Sequence, residues 1–131
     1  MYLTKFFKIS IFFLLLFLAL PTNALATDYY VAGDIGLDTN NGSISTPWQT
    51  IQKAADTMVA GDTVNVKGGI TYTDLGSLNC KGLNLSAIVC TANSGSLNNF
   101  ITYQSWSETG TPVIDGSGVN AGFVVDNNYI R

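Results

Sequence analysis

Residues 47–73 read PWQTIQKAADTMVAGDTVNVKGGITYT and contain a helix signal that is followed directly by a strand signal. Thr46 is the expected N-cap, and Pro47 suits the first helical position because its missing N–H has no partner inside a helix. Gly61 supplies the positive φ that ends such a helix, and Asp62 follows in the turn. The sequence therefore predicts a short helix that begins at Pro47 and stops before Gly61.

The apolar residues of this predicted helix form one stripe at helical spacing. Its members, at positions i, i+3, i+7 and i+10, are Trp48, Ile51, Ala55 and Met58. We expect the stripe to face a hydrophobic core. Trp48 has a second interpretation as a stacking platform for a sugar ring. A tryptophan within an apolar stripe is more typical of a core position, because its burial removes a large apolar area from water.

The strand signal comes directly after the glycine. Residues 63–66 alternate polar and apolar side chains, which predicts a strand with Val64 and Val66 facing a core. Gly68 and Gly69 then predict a sharp bend. Further short strand signals lie at residues 28–32, 70–73, 100–105, 112–116 and 122–126. Short strands separated by Gly, Asn or Ser corners suit either a β-sandwich or a β-helix.

These motifs resemble the opening of secreted right-handed parallel β-helix proteins of the pectate-lyase-like type, among them polysaccharide lyase family nine. The matching positions are residues 50–54, 61–64, Val66, Gly69, Thr71 and Tyr72, with further matches at 29–31, 33–42, 101–103 and 112–116. The resemblance implies an all-β solenoid, in which the chain forms the N-terminal cap helix and first coils of a right-handed parallel β-helix. The apolar stripe would then cover the open end of the coil stack. Residues 75–99 fall outside the resemblance and are expected to form an excursion.

The length of the chain is short for such a solenoid. Each coil rests on its neighbours, so about three or more repeats and a cap at each end are needed. The sequence supplies one cap and only a few coils, and it ends on a strand-like run at residues 127–131. We therefore expect a truncated chain, the N-terminal portion of a longer protein.

The sequence starts with a segment that is typical of export. Lys5 and Lys8 precede an apolar run at residues 9–20, and Ala24-Leu25-Ala26 is a small-x-small cleavage site. A membrane anchor is the alternative, but the apolar run is too short to span a bilayer comfortably. We predict a signal peptide at residues 1–26 and a β-helix domain, incomplete, at 27–131. The mature protein is expected to be secreted or at the cell surface, without a membrane span.

Charge and composition exclude several classes of function. The formal net charge is −3 without any basic cluster, which argues against nucleic acid as a partner. The chain contains no histidine, so Ser-His-Asp, Cys-His and His-metal sites cannot be built. Asp115 in VIDG is the most tempting acid for catalysis, although an Asp-Gly pair at a corner is more typical of a turn. Three lysines are interpreted as solvated surface, namely Lys53, Lys67 and Lys81.

Two cysteines remain after the leader, Cys80 and Cys90, ten positions apart. An exported chain with two cysteines favours one structural disulfide between them. The alternatives are a buried free pair or partners elsewhere in a longer protein. A zinc site is disfavoured because neither histidine nor further cysteine is available to complete it.

The loop at residues 33–46 is dense in Asp, Asn and Gly. Asp34, Asp38 and Asn40 alternate carboxylate and amide oxygens, which are the ligands that calcium prefers. The alternative is that these side chains accept hydrogen bonds from backbone N–H groups in Asx-turns. The Asx-turn interpretation is favoured, because the loop lacks the bidentate Glu of an EF-hand loop.

The resemblance also implies a reaction, calcium-assisted β-elimination on acidic polysaccharide. The catalytic positions of such enzymes lie on central coils beyond the matched region, so no catalytic, cofactor or metal residue is carried over to this chain. Calcium could bind in the longer protein. We expect polysaccharide as the partner and a monomeric chain. A non-catalytic surface β-helix for binding or adhesion is the main alternative, and a small secreted β-protein is a third.

Overall fold

The computed structural model describes residues 25–74, 76–77 and 79–131. Almost all of the predicted signal peptide lies outside these residues. Within the described ranges, no helix is long and apolar enough to cross a membrane. The elements of this part are β1 (Asp28–Val31), α1 (Ile51–Thr57), β2 (Thr63–Val66), β3 (Thr71–Tyr72), β4 (Ala87–Cys90), β5 (Thr102–Ser105), β6 (Val113–Ile114) and β7 (Ala121–Val124).

The strands form three small sheets, and every strand pair within them is parallel. One sheet has the order β1-β2-β5, and the others pair β3 with β6 and β4 with β7. The chain therefore visits the three sheets in one order through β2, β3 and β4, and repeats that order through β5, β6 and β7. The described chain is mostly β, with a single α-helix and short parallel strands.

The alternation predicted for residues 63–66 is confirmed. Val64 is fully buried and Val66 is 5% exposed, whereas Thr63 and Asn65, which alternate with them, are partly exposed. The core that they join also contains Val31, Trp48, Ile51, Ala54, Ala55, Met58, Tyr72, Ile88, Val89 and Ile101. One continuous core thus holds both the helix and the first round of strands.

The predicted start of the helix is wrong. The helix begins at Ile51, and its N-cap is Thr50, whose hydroxyl accepts the Lys53 N–H at 3.1 Å. Trp48 is extended instead, because its N–H donates to the Tyr30 carbonyl at 2.9 Å and its carbonyl accepts the Ala32 N–H at 2.8 Å. These bonds cover the edge of β1, which would otherwise expose unpaired backbone groups. Pairing at a sheet edge has overridden the local signal for a helix at Pro47.

The predicted end of the helix is also displaced. The helix stops at Thr57, and Met58 already has extended backbone angles. The Asp62 carboxylate accepts the Val59 N–H at 2.8 Å, which holds that N–H outside the helical ladder. Gly61 has the expected positive φ of 98°, but it lies in the turn that follows rather than at the end of the helix.

The expected excursion at residues 75–99 contains regular structure that the sequence analysis missed. Strand β4 lies within it, and all four of its residues are buried. A short 3₁₀ turn at Cys80–Gly82 precedes the strand. The strand was missed because AIVC is a continuous apolar run without alternation, as expected for a strand covered on both faces.

The edge of β4 that faces the helix is covered by a side chain in place of a strand. The Gln52 amide nitrogen donates to the Cys90 carbonyl at 3.0 Å, and its oxygen accepts the Cys90 N–H at 2.7 Å. Further along this edge, Ala87 and Ser77 exchange backbone hydrogen bonds of 2.9 and 3.0 Å. The helix therefore packs on the core and also satisfies an open strand edge.

Candidate functional site

The strands β1, β2 and β5 present one face to the core and the opposite face outward. Tyr30, Asn65 and Gln104 are register partners on this outer face. The Gln104 amide donates to the Asn65 side-chain oxygen at 2.9 Å, and the Asn65 amide donates to the Tyr29 carbonyl at 3.2 Å. The three-stranded sheet thus carries a row of one phenol and two linked amides on its outside.

Two aromatic rings meet on the same face. Tyr30 and Trp106 pack edge to face, with ring centroids 5.0 Å apart, and both residues are partly exposed. Trp106 follows the last residue of β5, and its N–H donates to the Val66 carbonyl at 2.7 Å. The backbone ladder therefore continues one residue beyond β5 and holds Trp106 at the sheet. We refer to Tyr30 and Trp106 as the aromatic pair.

One ion pair lies next to this ladder. The Lys67 ammonium contacts the Asp34 carboxylate at 2.7 Å, and the Lys67 N–H donates to the Val31 carbonyl at 2.8 Å. The hydrogen bond from Lys67 lowers the pKa of Asp34 below its ordinary value. The Asp34 carboxylate is therefore ionised at neutral pH, and the ion pair offsets the two charges locally. The side chain of Lys67, which is predicted to be solvated surface, is only partly exposed, at 27%.

Trp48 cannot serve as a sugar platform in this structure. Its side chain is buried, with only 2% of the residue exposed, and its ring stacks on Tyr29 with centroids 4.6 Å apart. Its indole N–H donates to the Asn40 carbonyl at 2.9 Å. Both the ring faces and the polar tip are thus occupied by the protein itself. The other three stripe residues, Ile51, Ala55 and Met58, are also buried in the same core.

The sequence analysis missed Trp106. A usable signal was present, because Gln104 and Trp106 are spaced at period two. This spacing places an aromatic residue in line with a polar neighbour on a solvent-facing side. The strand predicted at residues 100–105 stops one residue before Trp106.

In the loop considered as a calcium site, the Asp38 carboxylate caps backbone N–H groups. One oxygen of Asp38 accepts the N–H groups of Gln49 and Thr50, both at 2.9 Å, and the other accepts the Thr50 hydroxyl at 2.7 Å. The Asn40 amide donates to the Pro47 carbonyl at 2.9 Å. The structure thus favours the capping interpretation. In residues 25–74, 76–77 and 79–131, no group of three or more His, Cys, Asp or Glu side chains could hold a metal ion.

Asp115 lies at a corner, as the turn interpretation requires. Its carboxylate accepts the Ser117 N–H at 2.9 Å, and this bond lowers the pKa of Asp115. A carboxylate held two residues from its donor is an Asx-turn. The group therefore stabilises the turn after β6, and it is ionised well below neutral pH.

An apolar depression of about 190 Å³ lies at the end of the core that is formed by the second round of strands. Its lining residues are Ile51, Val66, Tyr103, Gln104, Ser105, Pro112, Ile114 and Phe123. Tyr103 and Phe123 pack edge to face within it, with centroids 5.1 Å apart. Burial raises the pKa of Tyr103, so its hydroxyl stays neutral across the physiological range.

The two cysteines are joined in a disulfide, as predicted. The bond links Cys80 in the 3₁₀ turn to Cys90 at the end of β4, with Cα atoms 5.7 Å apart. Cys80 is fully buried and Cys90 is 7% exposed. The alternatives of a free pair or of partners elsewhere do not apply in this structure. The disulfide closes a loop whose residues 81–84 are exposed.

Replacing both Cys80 and Cys90 by Ser is expected to lower the free energy of unfolding by about 2–3 kcal/mol, because the unfolded chain loses the constraint of a closed loop. Urea unfolding of the oxidised protein and of the double variant measures this loss. Thiol labelling of the unfolded, unreduced protein provides the control and should detect no free cysteine. Two labelled thiols, or equal stabilities, would contradict the expectation.

The chain is similar in sequence and in fold to parts of known proteins. No family model matches it. A pectate lyase, PEL9 of Emericella nidulans, is 47% identical over 57 residues, which cover 44% of this chain and 13% of that protein. The solved structure of XylC with xylose superposes with a TM-score of 0.53 at 28% identity, over 69% of this chain and 12% of the other. A rhamnogalacturonan lyase structure has a TM-score of 0.64 at 23% identity, over 80% of this chain and 27% of the other.

These proteins are much longer than this chain. It spans about one eighth of the pectate lyase and of XylC, and about a quarter of the rhamnogalacturonan lyase. The likeness to the rhamnogalacturonan lyase concerns the fold alone. The chain is thus similar to a pectate lyase in sequence over part of its length, and to β-helix-type proteins in fold.

Proposed function

We propose that this chain forms the N-terminal cap and first coils of an exported right-handed parallel β-helix that binds polysaccharide. The observation that carries the proposal is the repeated order of the three parallel sheets, β2-β3-β4 and then β5-β6-β7, in a chain that resembles a pectate lyase in sequence. Each round of three strands would be one coil of the stack.

The proposal requires one end of the core to be covered by a cap and the other end to be open to a following coil, and the two ends differ in this way. At one end, Trp48 and Gly42 bond to the edge of β1, and Gln52 bonds to the edge of β4. These contacts close the stack as a cap would. At the other end, the depression around Tyr103 and Phe123 leaves apolar side chains for a following coil to cover. In this proposal, residues 27–131 are the first part of a longer domain.

Binding, rather than chemistry, is the role we assign to this part of the protein. The carboxylates of Asp38 and Asp115 are engaged in backbone capping, and Asp34 is paired with Lys67. If the longer protein is a lyase of pectate-lyase type, its base and any calcium would lie on later coils. The disulfide suits an oxidising compartment and supports export.

Affinity electrophoresis tests this proposal directly. The protein is run through gels that contain polygalacturonate, rhamnogalacturonan or xylan, with the reduced and denatured protein as control. We expect retardation of the folded protein in at least one polysaccharide gel and no formation of unsaturated uronate products. Absence of retardation in all three gels would contradict the proposal. Product formation would instead show that this part is itself catalytic.

A further inference from the structure

We infer that the outer face of the three-stranded sheet is a glycan-binding face, on which the aromatic pair stacks against uncharged pyranose rings. The inference rests on the proposed function and assigns it to particular residues: Tyr30 and Trp106 as the stacking surface, and Asn65 and Gln104 as hydrogen-bonding neighbours. Trp48, the platform considered from the sequence, is replaced in this role by Trp106.

The first step of the argument is that the polar ends of the aromatic pair are free. Among the described residues, neither the Trp106 indole N–H nor the Tyr30 hydroxyl has a protein hydrogen-bond partner, and no buried side-chain polar atom lacks one. Both groups therefore face water. The Trp48 indole N–H, in contrast, is bonded to the Asn40 carbonyl. An aromatic ring with an accessible donor suits a ligand that has an apolar face and a polar rim, which a pyranose ring has.

The second step concerns the hydrogen-bonding groups beside the rings. Gln104 is exposed, and its amide nitrogen donates to the Asn65 oxygen, which fixes the orientation of both amides. The Gln104 oxygen remains available as an acceptor on the same face, since an amide carries donors and an acceptor together. Equatorial hydroxyl groups of a sugar ring stacked on the aromatic pair would lie within hydrogen-bonding reach of the Asn65 and Gln104 amides.

The third step is the local charge. The cation beside the Trp106 end of the face, Lys67, is paired with Asp34 at 2.7 Å, so it is not free to bind a carboxylate. The whole chain is acidic, with a formal net charge of −3. Among the described residues, Lys67 is thus the cation next to the aromatic pair, and its charge is offset by Asp34. Uncharged rings therefore fit the surface beside the aromatic pair better than acidic ones.

The fourth step is that the face is already ordered. The backbone N–H of Tyr30 donates to the Gly42 carbonyl at 2.8 Å. The Trp106 carbonyl accepts the Thr109 hydroxyl at 2.7 Å, and its N–H is bonded to Val66. The backbone at both residues is therefore held before a ligand binds, so little of the contact energy is lost to ordering it.

A second aromatic pair elsewhere on the surface provides a matched control. Phe100 and Tyr129 also pack edge to face, with centroids 5.9 Å apart, and they are 38% and 44% exposed. The Arg131 guanidinium lies 5.5 Å from the Phe100 ring centroid and covers part of it. This pair does not lie beside the Asn65 and Gln104 amides, so removal of its phenylalanine ring should leave glycan binding unchanged.

Isothermal titration with xylohexaose and with trigalacturonate tests the inference, using the wild-type protein and the variants Trp106→Ala, Trp106→Phe and Phe100→Ala. We expect wild type to prefer xylohexaose, and Trp106→Ala to weaken its binding about tenfold or more, as loss of a central aromatic contact does. Trp106→Phe keeps a ring and should retain most of the affinity. Phe100→Ala should bind like wild type. Near-UV circular dichroism checks that every variant is folded.

The outcomes separate this inference from the proposed function. If wild type binds a polysaccharide and Trp106→Ala binds it equally well, the assignment of the binding site to this face is wrong, and the proposed function stands. If Phe100→Ala loses as much affinity as Trp106→Ala, the assignment to this face is also wrong. A preference for trigalacturonate that disappears in high salt would overturn the choice of uncharged rings. No binding by wild type to any polysaccharide overturns both proposals.

Discussion

The Trp48→Ala variant is expected to lose about 3–5 kcal/mol of the free energy of unfolding, the range for truncation of a fully buried aromatic residue. The indole fills the space between Tyr29 and Gly42, and a side chain at Gly42 would collide with its ring. Removal of the indole leaves a cavity and also leaves the Asn40 carbonyl without its donor. Because the Trp48 backbone bonds to both sides of Val31, the loss should also loosen the edge of β1.

Urea unfolding, followed by circular dichroism, measures this loss. Trp106→Ala is the matched control, since it removes the other tryptophan from a partly exposed position and should cost clearly less. Trp48→Phe keeps an aromatic ring and should lie between wild type and Trp48→Ala. Equal losses for the two tryptophans would show that Trp48 is not the core residue that the structure describes.

The Asp62→Ala variant has the second largest expected effect, a loss of about 2–4 kcal/mol in the free energy of unfolding. Asp62 is 2% exposed, and its two carboxylate oxygens accept different N–H groups, from Thr27 at 2.9 Å and from Val59 at 2.8 Å. These bonds join the start of β1 to the turn between α1 and β2. Alanine would leave the Thr27 and Val59 N–H groups without their carboxylate acceptor. Hydrogen bonds to a carboxylate are stronger than those to neutral groups.

Asp62→Asn sharpens this test. The amide replaces one acceptor by a donor, so one of the two backbone N–H groups must face another N–H. We expect Asp62→Asn to lose about half as much stability as Asp62→Ala. Asp74→Ala is the control, because Asp74 is an exposed aspartate and a surface substitution typically costs within about 0.5 kcal/mol. A loss for Asp62→Ala no larger than that for Asp74→Ala would contradict the role given to this carboxylate.

Asp62 shows which of its structural roles a local sequence pattern can predict and which it cannot. The motif at residues 61–64 predicted a turn followed by a strand, and both are present. The sequence analysis gave Asp62 no role beyond the turn, because its partner Thr27 lies 35 positions away in the chain. The burial of this carboxylate depends on a contact that no local spacing encodes.

The candidate site was the least predictable part. Trp48, whose pattern allowed a sugar-stacking role, lies in the core. Trp106, which packs against Tyr30 on the outer face of the three-stranded sheet, was not predicted as a site residue. Tyr30 and Trp106 are 76 positions apart in sequence and meet only because β1, β2 and β5 are neighbours. A pattern within one strand can show which side faces outward, but it cannot show which strand will lie beside it.

The amino-acid sequence by itself determined the features that depend on neighbouring residues. These are the alternation that buries Val64 and Val66, the left-handed backbone at Gly61, and the presence of a short helix within residues 47–58. Each follows from side-chain size and backbone preference over a few positions. The pairing of Cys80 with Cys90 was also predictable, because only two cysteines were available.

The tertiary structure alone decided where those elements begin and end. Trp48 is extended because β1 needs a partner for its edge, and the helix stops early because Asp62 takes the Val59 N–H. Strand β4 is regular because the helix covers it on one edge and β7 pairs with it on the other. In each case a backbone group must be satisfied by whatever lies next to it in space, and that requirement outweighs the smaller preferences of the local sequence.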